Sequence, residues 1–128
     1  MTDLYELIQR IRTRPSMYLG KPYITRFKAF LDGYIGARND LGFALKEQEE
    51  TLNRFQLWIQ SRFKVTSSHS WAEIILFYSG DERDALDKFF ELFDKFLASE
   101  SKLSSSLNRL VESSAQCSAI EGSGFFVV

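Results

Sequence analysis

Between Glu82 and Ala98, apolar side chains return at intervals of three and four: Ala85, Leu86, Phe89, Phe90, Phe93, Phe96 and Leu97. On a helix these fall on one broad face, while Asp84, Asp87, Lys88, Glu91, Asp94 and Lys95 take the other. A stripe this wide and this aromatic needs facing layers to cover it, and the chain supplies them in the same period. Leu4, Leu7, Ile8 and Ile11 predict a helix over 3–13, Phe27, Phe30, Leu31, Tyr34 and Ile35 one over 24–40, and Leu52, Phe55, Ile59 and Phe63 one over 47–64. Ser70-Trp71-Ala72-Glu73 has the spacing of a capping box, with a hydroxyl at the N-cap and a carboxylate three residues on. It predicts a helix over 71–79 with Trp71, Ile74, Ile75 and Tyr78 on one face. A strand is the alternative there, because the Ile74–Tyr78 run is short and β-prone. The strongest helix spans 82–98, and Leu103, Leu107, Leu110 and Val111 permit a sixth over 103–113. The expected fold is therefore all-α, a bundle of five to six helices around a Phe-rich core.

Pro15 is expected to stop the first helix at or before Arg14. Residues 14–22 then read as a loop in which Met17, Tyr18 and Leu19 plug the gap between the first two helices. Thr25 suits the N-cap of the second helix, with Pro22 as the alternative marker of its first turn. Gly33 and Gly36 lie inside that helix, where each costs roughly 1 kcal/mol against Ala. Their presence predicts a close crossing by another helix. Gly42 and Gly80 are placed to close helices.

The chain has 128 residues, the length of one domain. Such a domain can bury roughly two thirds of its unfolded surface, so it needs no disulfide or metal staple. Residues 1–128 are read as a single helical domain, with 99–128 a Ser-rich extension carrying the sixth helix. Ala115 to Gly124 reads as loop, and the apolar terminus Phe125-Phe126-Val127-Val128 is expected to dock on the body or on a partner. One cysteine, Cys117, and one histidine, His69, exclude a disulfide framework and a Cys/His-rich zinc site. No metal or cofactor is expected. The N-terminal Met1-Thr2-Asp3-Leu4-Tyr5-Glu6 lacks a basic region followed by an apolar core, and no apolar run approaches the roughly 20 residues that span a bilayer. With an unpaired thiol, these features predict a cytoplasmic protein that does not engage membranes.

Sixteen basic and seventeen acidic residues leave a net charge of −1, which excludes a globally basic nucleic-acid-coating chain. Locally the balance breaks. From 10 to 28 the charged residues are Arg10, Arg12, Arg14, Lys21, Arg26 and Lys28, with no acid among them, whereas 81–100 holds seven acids and three bases. The basic segment, together with Tyr18, is the candidate binding surface for an anionic partner. Solvation of both segments in a folded domain is the competing explanation. A weaker anion site is read at Arg62, Lys64, Ser68 and Ser70, where basic and hydroxyl groups precede a helix N-terminus, although Glu73 brings a like charge to that end. His69 lies between Ser68 and Ser70, but adjacency in sequence supplies neither a separate nucleophile nor a third orienting group. No paired carboxylates, Gly-rich phosphate loop or metal motif stand out. Asp84, Asp87, Glu91 and Asp94 share a helix face with Lys88 and Lys95, which suits ion pairing and solvation.

Arg14-Pro15-Ser16-Met17-Tyr18-Leu19-Gly20 resembles the Arg-Pro-Gly-Met-Tyr-Ile-Gly segment of the ATPase subunit of bacterial DNA gyrase. The likeness covers seven residues. The family's Asp-x-Gly-x-Gly turn and Gly-rich lid have no counterpart here, so no ATPase activity is implied. Taken with Phe27 to Tyr34, Ser70 to Phe77 and Phe89 to Phe93, the segment resembles a small bacterial all-α family of unassigned function over residues 4–97. Some proteins of that kind are linked to the immunity proteins of polymorphic toxin systems, which act by binding a toxin. The expected function is accordingly a non-enzymatic module working by protein–protein interaction or self-association. A nucleic-acid-associated protein using the 10–28 segment is the alternative.

Overall fold

The structure is a computed structural model that describes the backbone of residues 3–117 and the side chains of residues 3–103. All regular structure among the described residues is helical. In order the helices are α1 (Leu4–Thr13), α2 (Pro15–Leu19), α3 (Ile24–Asp40), α4 (Lys46–Arg62), α5 (Trp71–Phe77) and α6 (Glu82–Cys117). The all-α expectation holds, and the strand alternative at Ile74–Tyr78 falls. The chain divides at Phe93 into two units. The account of packing below concerns the first.

Side-chain caps open three of the helices. Asp3 caps α1 by accepting the Glu6 N–H at 2.8 Å. Ser70 and Glu73 form the full capping box of α5, the hydroxyl accepting the Glu73 N–H at 3.2 Å and the carboxylate accepting the Ser70 N–H at 3.1 Å. Asp81 accepts the Asp84 N–H at 2.8 Å at the start of α6.

Four expectations are corrected. Residues 14–22 are not all loop, because Pro15 ends α1 and then occupies the first position of α2, where its missing N–H costs nothing. Thr25 is not a cap. It lies in the first turn of α3, which begins after Tyr23, and its N–H and hydroxyl donate to the Glu82 carboxylate at 3.1 and 3.0 Å. Gly33 and Gly36 mark no helix crossing: nothing stands within 4 Å of where a Cβ would be on either. The buried face of α3 is carried by Ile24, Phe27 and Leu31 instead. Finally, the helices expected over 82–98 and 103–113 are one continuous helix that runs on through Cys117, so residues 115–117 are not loop. Serine disfavours helix by only a fraction of a kcal/mol, too little to break an established one. The remainder of the expected loop and the Phe125–Val128 terminus lie outside the described residues, as does the Cys117 side chain.

The core of the first unit is aromatic. Phe27 from α3 lies 4.8 Å from Phe89 of α6 between ring centres. Trp71 from α5 lies 4.8 Å from the same ring, and Phe55 from α4 meets it at 5.5 Å. Phe93 stacks on Phe89 at 5.3 Å and takes the edge of Phe55 at 5.3 Å. Four helices thus converge on Phe89, and such ring pairs add about 0.5–1.5 kcal/mol each beyond their buried area. On α1, Leu4, Leu7, Ile8 and Ile11 are buried. Its N-terminus is tied to α4 by the Leu4 N–H on Gln48 Oε1 at 2.8 Å and by the Tyr5 hydroxyl on Thr51 at 3.0 Å.

Candidate functional site

The cations of the basic segment differ in the contacts they make. Arg12 sets its guanidinium 5.4 Å from the centre of the Phe90 ring. Arg26 donates to the Leu19 carbonyl at 2.9 Å and, with Lys21, flanks the Tyr23 ring at 5.8 and 5.7 Å. Lys28 pairs with Asp32 at 2.6 Å and faces the Trp71 ring at 5.8 Å, in a depression that also contains Glu49. These cations have partners inside the fold.

Arg10 and Arg14 are different. They lie one turn apart at the end of α1, where a helix dipole favours positive charge. Both are exposed, and neither guanidinium has an ion-pair or ring partner among the described residues. They border a shallow depression of about 330 Å³ with Thr13, Met17 and Tyr18. Met17 does not plug the gap between helices as expected. It is 66% exposed, while Leu19 is buried and Tyr18 is half-buried with its ring edge-on to Phe30 at 6.2 Å. The α2 turn explains the split. Five residues of helix can aim only one flank at the core, and Leu19 takes it.

The Arg62, Lys64, Ser68 and Ser70 cluster is arranged otherwise than an anion cradle requires. Arg62 lies over the Trp58 ring at 5.2 Å. Three backbone donors at the start of α5 are engaged: Ser70 N–H by Glu73, Glu73 N–H by Ser70, and Trp71 N–H by Gln56 Oε1 at 2.6 Å. Lys64 and Ser68 are exposed. His69 shares a 2.6 Å hydrogen bond with Ser67 through Nδ1. It lines a different depression from Arg14 and Tyr18.

A larger feature escaped the sequence. Along α5 an open groove of about 590 Å³ has an apolar wall of Val65, Ile74, Leu76, Phe77 and Tyr78, and a polar edge of Ser67, His69 and Glu73. Phe77 is 79% exposed, and Tyr78, expected on the buried face, is 48% exposed. The signal was present in the spacing, since Phe77 lies roughly 110° round the helix from the middle of the Trp71, Ile74 and Ile75 stripe. The groove walls are held from behind. Gln56 and Gln60 donate to the carbonyls of His69 and Ser67 at 2.9 and 3.0 Å. Phe63 stacks on Tyr78 at 4.9 Å, and Lys88 donates to the Tyr78 carbonyl at 3.0 Å. The Glu73 carboxyl is held below its ordinary pKa, first by the Ser70 N–H, with the Ser70 hydroxyl and the positive potentials of His69 and Lys28 adding to it against a desolvation cost.

No helix among the described residues is long and apolar enough to cross a membrane. Comparison of the chain with protein families, with curated proteins and with solved structures gives no match.

Proposed function

We propose that the protein is a non-enzymatic binding module that holds another protein through the α1–α2 surface of Arg10, Arg14, Met17 and Tyr18. The observation that carries this reading is the contrast within the basic segment. Arg12, Lys21, Arg26 and Lys28 make ring, carbonyl or ion-pair contacts, whereas Arg10 and Arg14, exposed like most of the segment, make none among the described residues and lie beside an exposed methionine. Arg, Met and Tyr are the residue types enriched at protein interfaces. Two guanidinium forks one turn apart suit carboxylates, and Met17 offers a deformable apolar contact between them and the Tyr18 ring. The partner surface that fits is acidic with an apolar residue at its centre. The resemblance of residues 4–97 to immunity-linked proteins suggests a toxin domain as the partner class.

The test is capture from native lysate with the tagged chain and with an Arg10→Glu/Arg14→Glu variant, each with and without nuclease. The expected result is a stoichiometric protein band that survives nuclease and disappears with the variant, whose circular dichroism stays unchanged. A band retained by the variant removes the proposed surface. A band lost on nuclease treatment moves the function to nucleic acid.

A further inference from the structure

We infer that the groove along α5 is a second docking site, for a partner segment that presents an arginine or lysine one helical turn from an aliphatic side chain. Three observations point the same way. First, Glu73 and Phe77 are four residues apart on α5, so an exposed carboxylate and an exposed ring are neighbours on the helix surface. Second, the carboxylate has spare acceptor capacity. Oε1 takes the Ser70 N–H, and no basic side chain among the described residues forms an ion pair with Glu73. Third, the apolar wall beyond it is extensive, and its loop and its Tyr78 are fixed by Gln56, Gln60, Phe63 and Lys88, so little ordering is left to be done on binding.

The chemistry of the occupant follows from that arrangement. Lysine and arginine carry a charged head on an apolar stem. The stem can lie along the Phe77 ring with the head on the Glu73 carboxylate, and the ring face itself attracts a cation. An aliphatic neighbour one turn away then reaches the wall of Val65, Ile74 and Leu76. The volume of 590 Å³ falls within the roughly 300–1,000 Å³ common for small-molecule pockets. Such pockets enclose most of their ligand, however, and a ring left 79% exposed forms an open ledge suited to a macromolecular surface. The site shares no residue with the α1–α2 surface and stands or falls independently of it.

The experiment uses the full chain and three amidated helical peptides that differ at one position. The first carries Leu and Arg four residues apart, and the other two carry Gln or Glu in place of that Arg. Binding is followed by calorimetry and by amide shifts of Leu76 to Ser79. The Leu–Arg peptide is expected to bind at least tenfold more tightly than the Gln peptide, with the Glu peptide weaker again. Glu73→Gln, which keeps a capping-box acceptor because Gln can also occupy that position, should erase the charge preference. Phe77→Ala should weaken the Leu–Arg peptide at least tenfold. The Arg10→Glu/Arg14→Glu variant should bind it like the parent. No shifts at millimolar peptide, or equal affinity for all three peptides, would overturn the proposal. So would concentration-dependent self-association abolished by Phe77→Ala, which would make a second copy the occupant.

Discussion

Gly20 closes α2 at a φ of +79°, a left-handed conformation that an L side chain rarely adopts. A Cβ there would stand 2.7 Å from Arg26 Nη1, the same nitrogen that donates to the Leu19 carbonyl. Gly20→Ala therefore meets two costs at once, backbone strain and displacement of a guanidinium that closes the turn. We expect it to destabilise the protein by about 1–3 kcal/mol, read as a lowered denaturant midpoint at unchanged slope. An unchanged midpoint would mean that the α2 turn relaxes freely. Arg26 is, by the same token, a structural arginine, although in sequence it is indistinguishable from Arg10 or Arg14. That distinction depends on where Leu19 ends α2 and on which ring lies beneath each stem. These are facts of tertiary placement, which is why the basic segment was legible as a whole but its two unpaired members were not.

At the scale of elements, α3 carries its own weakness. Gly33 and Gly36 sit on its exposed face with open space around them, and each leaves the unfolded chain with excess freedom. Gly33→Ala and Gly36→Ala should each stabilise by roughly 0.4–1 kcal/mol, measured as a raised thermal midpoint. A destabilising result would show that something covers that face. The sign of a second prediction comes from α5. Because the Glu73 carboxyl is below its ordinary pKa in the folded chain, the unfolded state binds more protons as pH falls. Its contribution is fully present above the unfolded value of about 4.3 and is lost as pH drops through the lower folded value. Asp84 at the start of α6 behaves alike, held down first by the Gly80 N–H and then by Lys88. The parent chain should therefore exceed Glu73→Gln in urea midpoint at pH 7, and the gap should narrow as pH falls below the unfolded value. A gap independent of pH would assign it to something other than the carboxylate charge. The same helices show what periodicity reads well. Leu4, Leu7, Ile8 and Ile11, or Phe55 and Ile59, are buried as their spacing required, and the capping box placed the start of α5. Punctuation was less reliable, because Pro15 is both a stop and a start, and helix α6 continues through serines whose individual penalties are small.

Over the whole molecule, sixteen basic and seventeen acidic residues leave almost no net field to draw a polyanion, so nucleic-acid affinity must come from local cations. The fold gives most of them local contacts. Of the six between 10 and 28, Arg12 is spent on the Phe90 ring, Lys21 and Arg26 on Tyr23, and Lys28 on Asp32. Counterion release scales with the number of phosphates neutralised, with a slope of about −0.9 per contact in log affinity against log salt. Two unpaired arginines predict a slope near −2, so raising salt from about 50 to 200 mM should weaken duplex binding only roughly tenfold. Six converging cations would give a slope near −5 and a loss of about a thousandfold over the same range. Fluorescence anisotropy with a labelled duplex separates the two cases. A shallow slope, flattened further by Arg10→Glu/Arg14→Glu, is the outcome expected of a protein-binding surface that touches DNA only through its spare charge. A steep slope would mean that the engaged cations leave their partners to meet phosphate, which would place the nucleic-acid reading ahead of the protein-binding one.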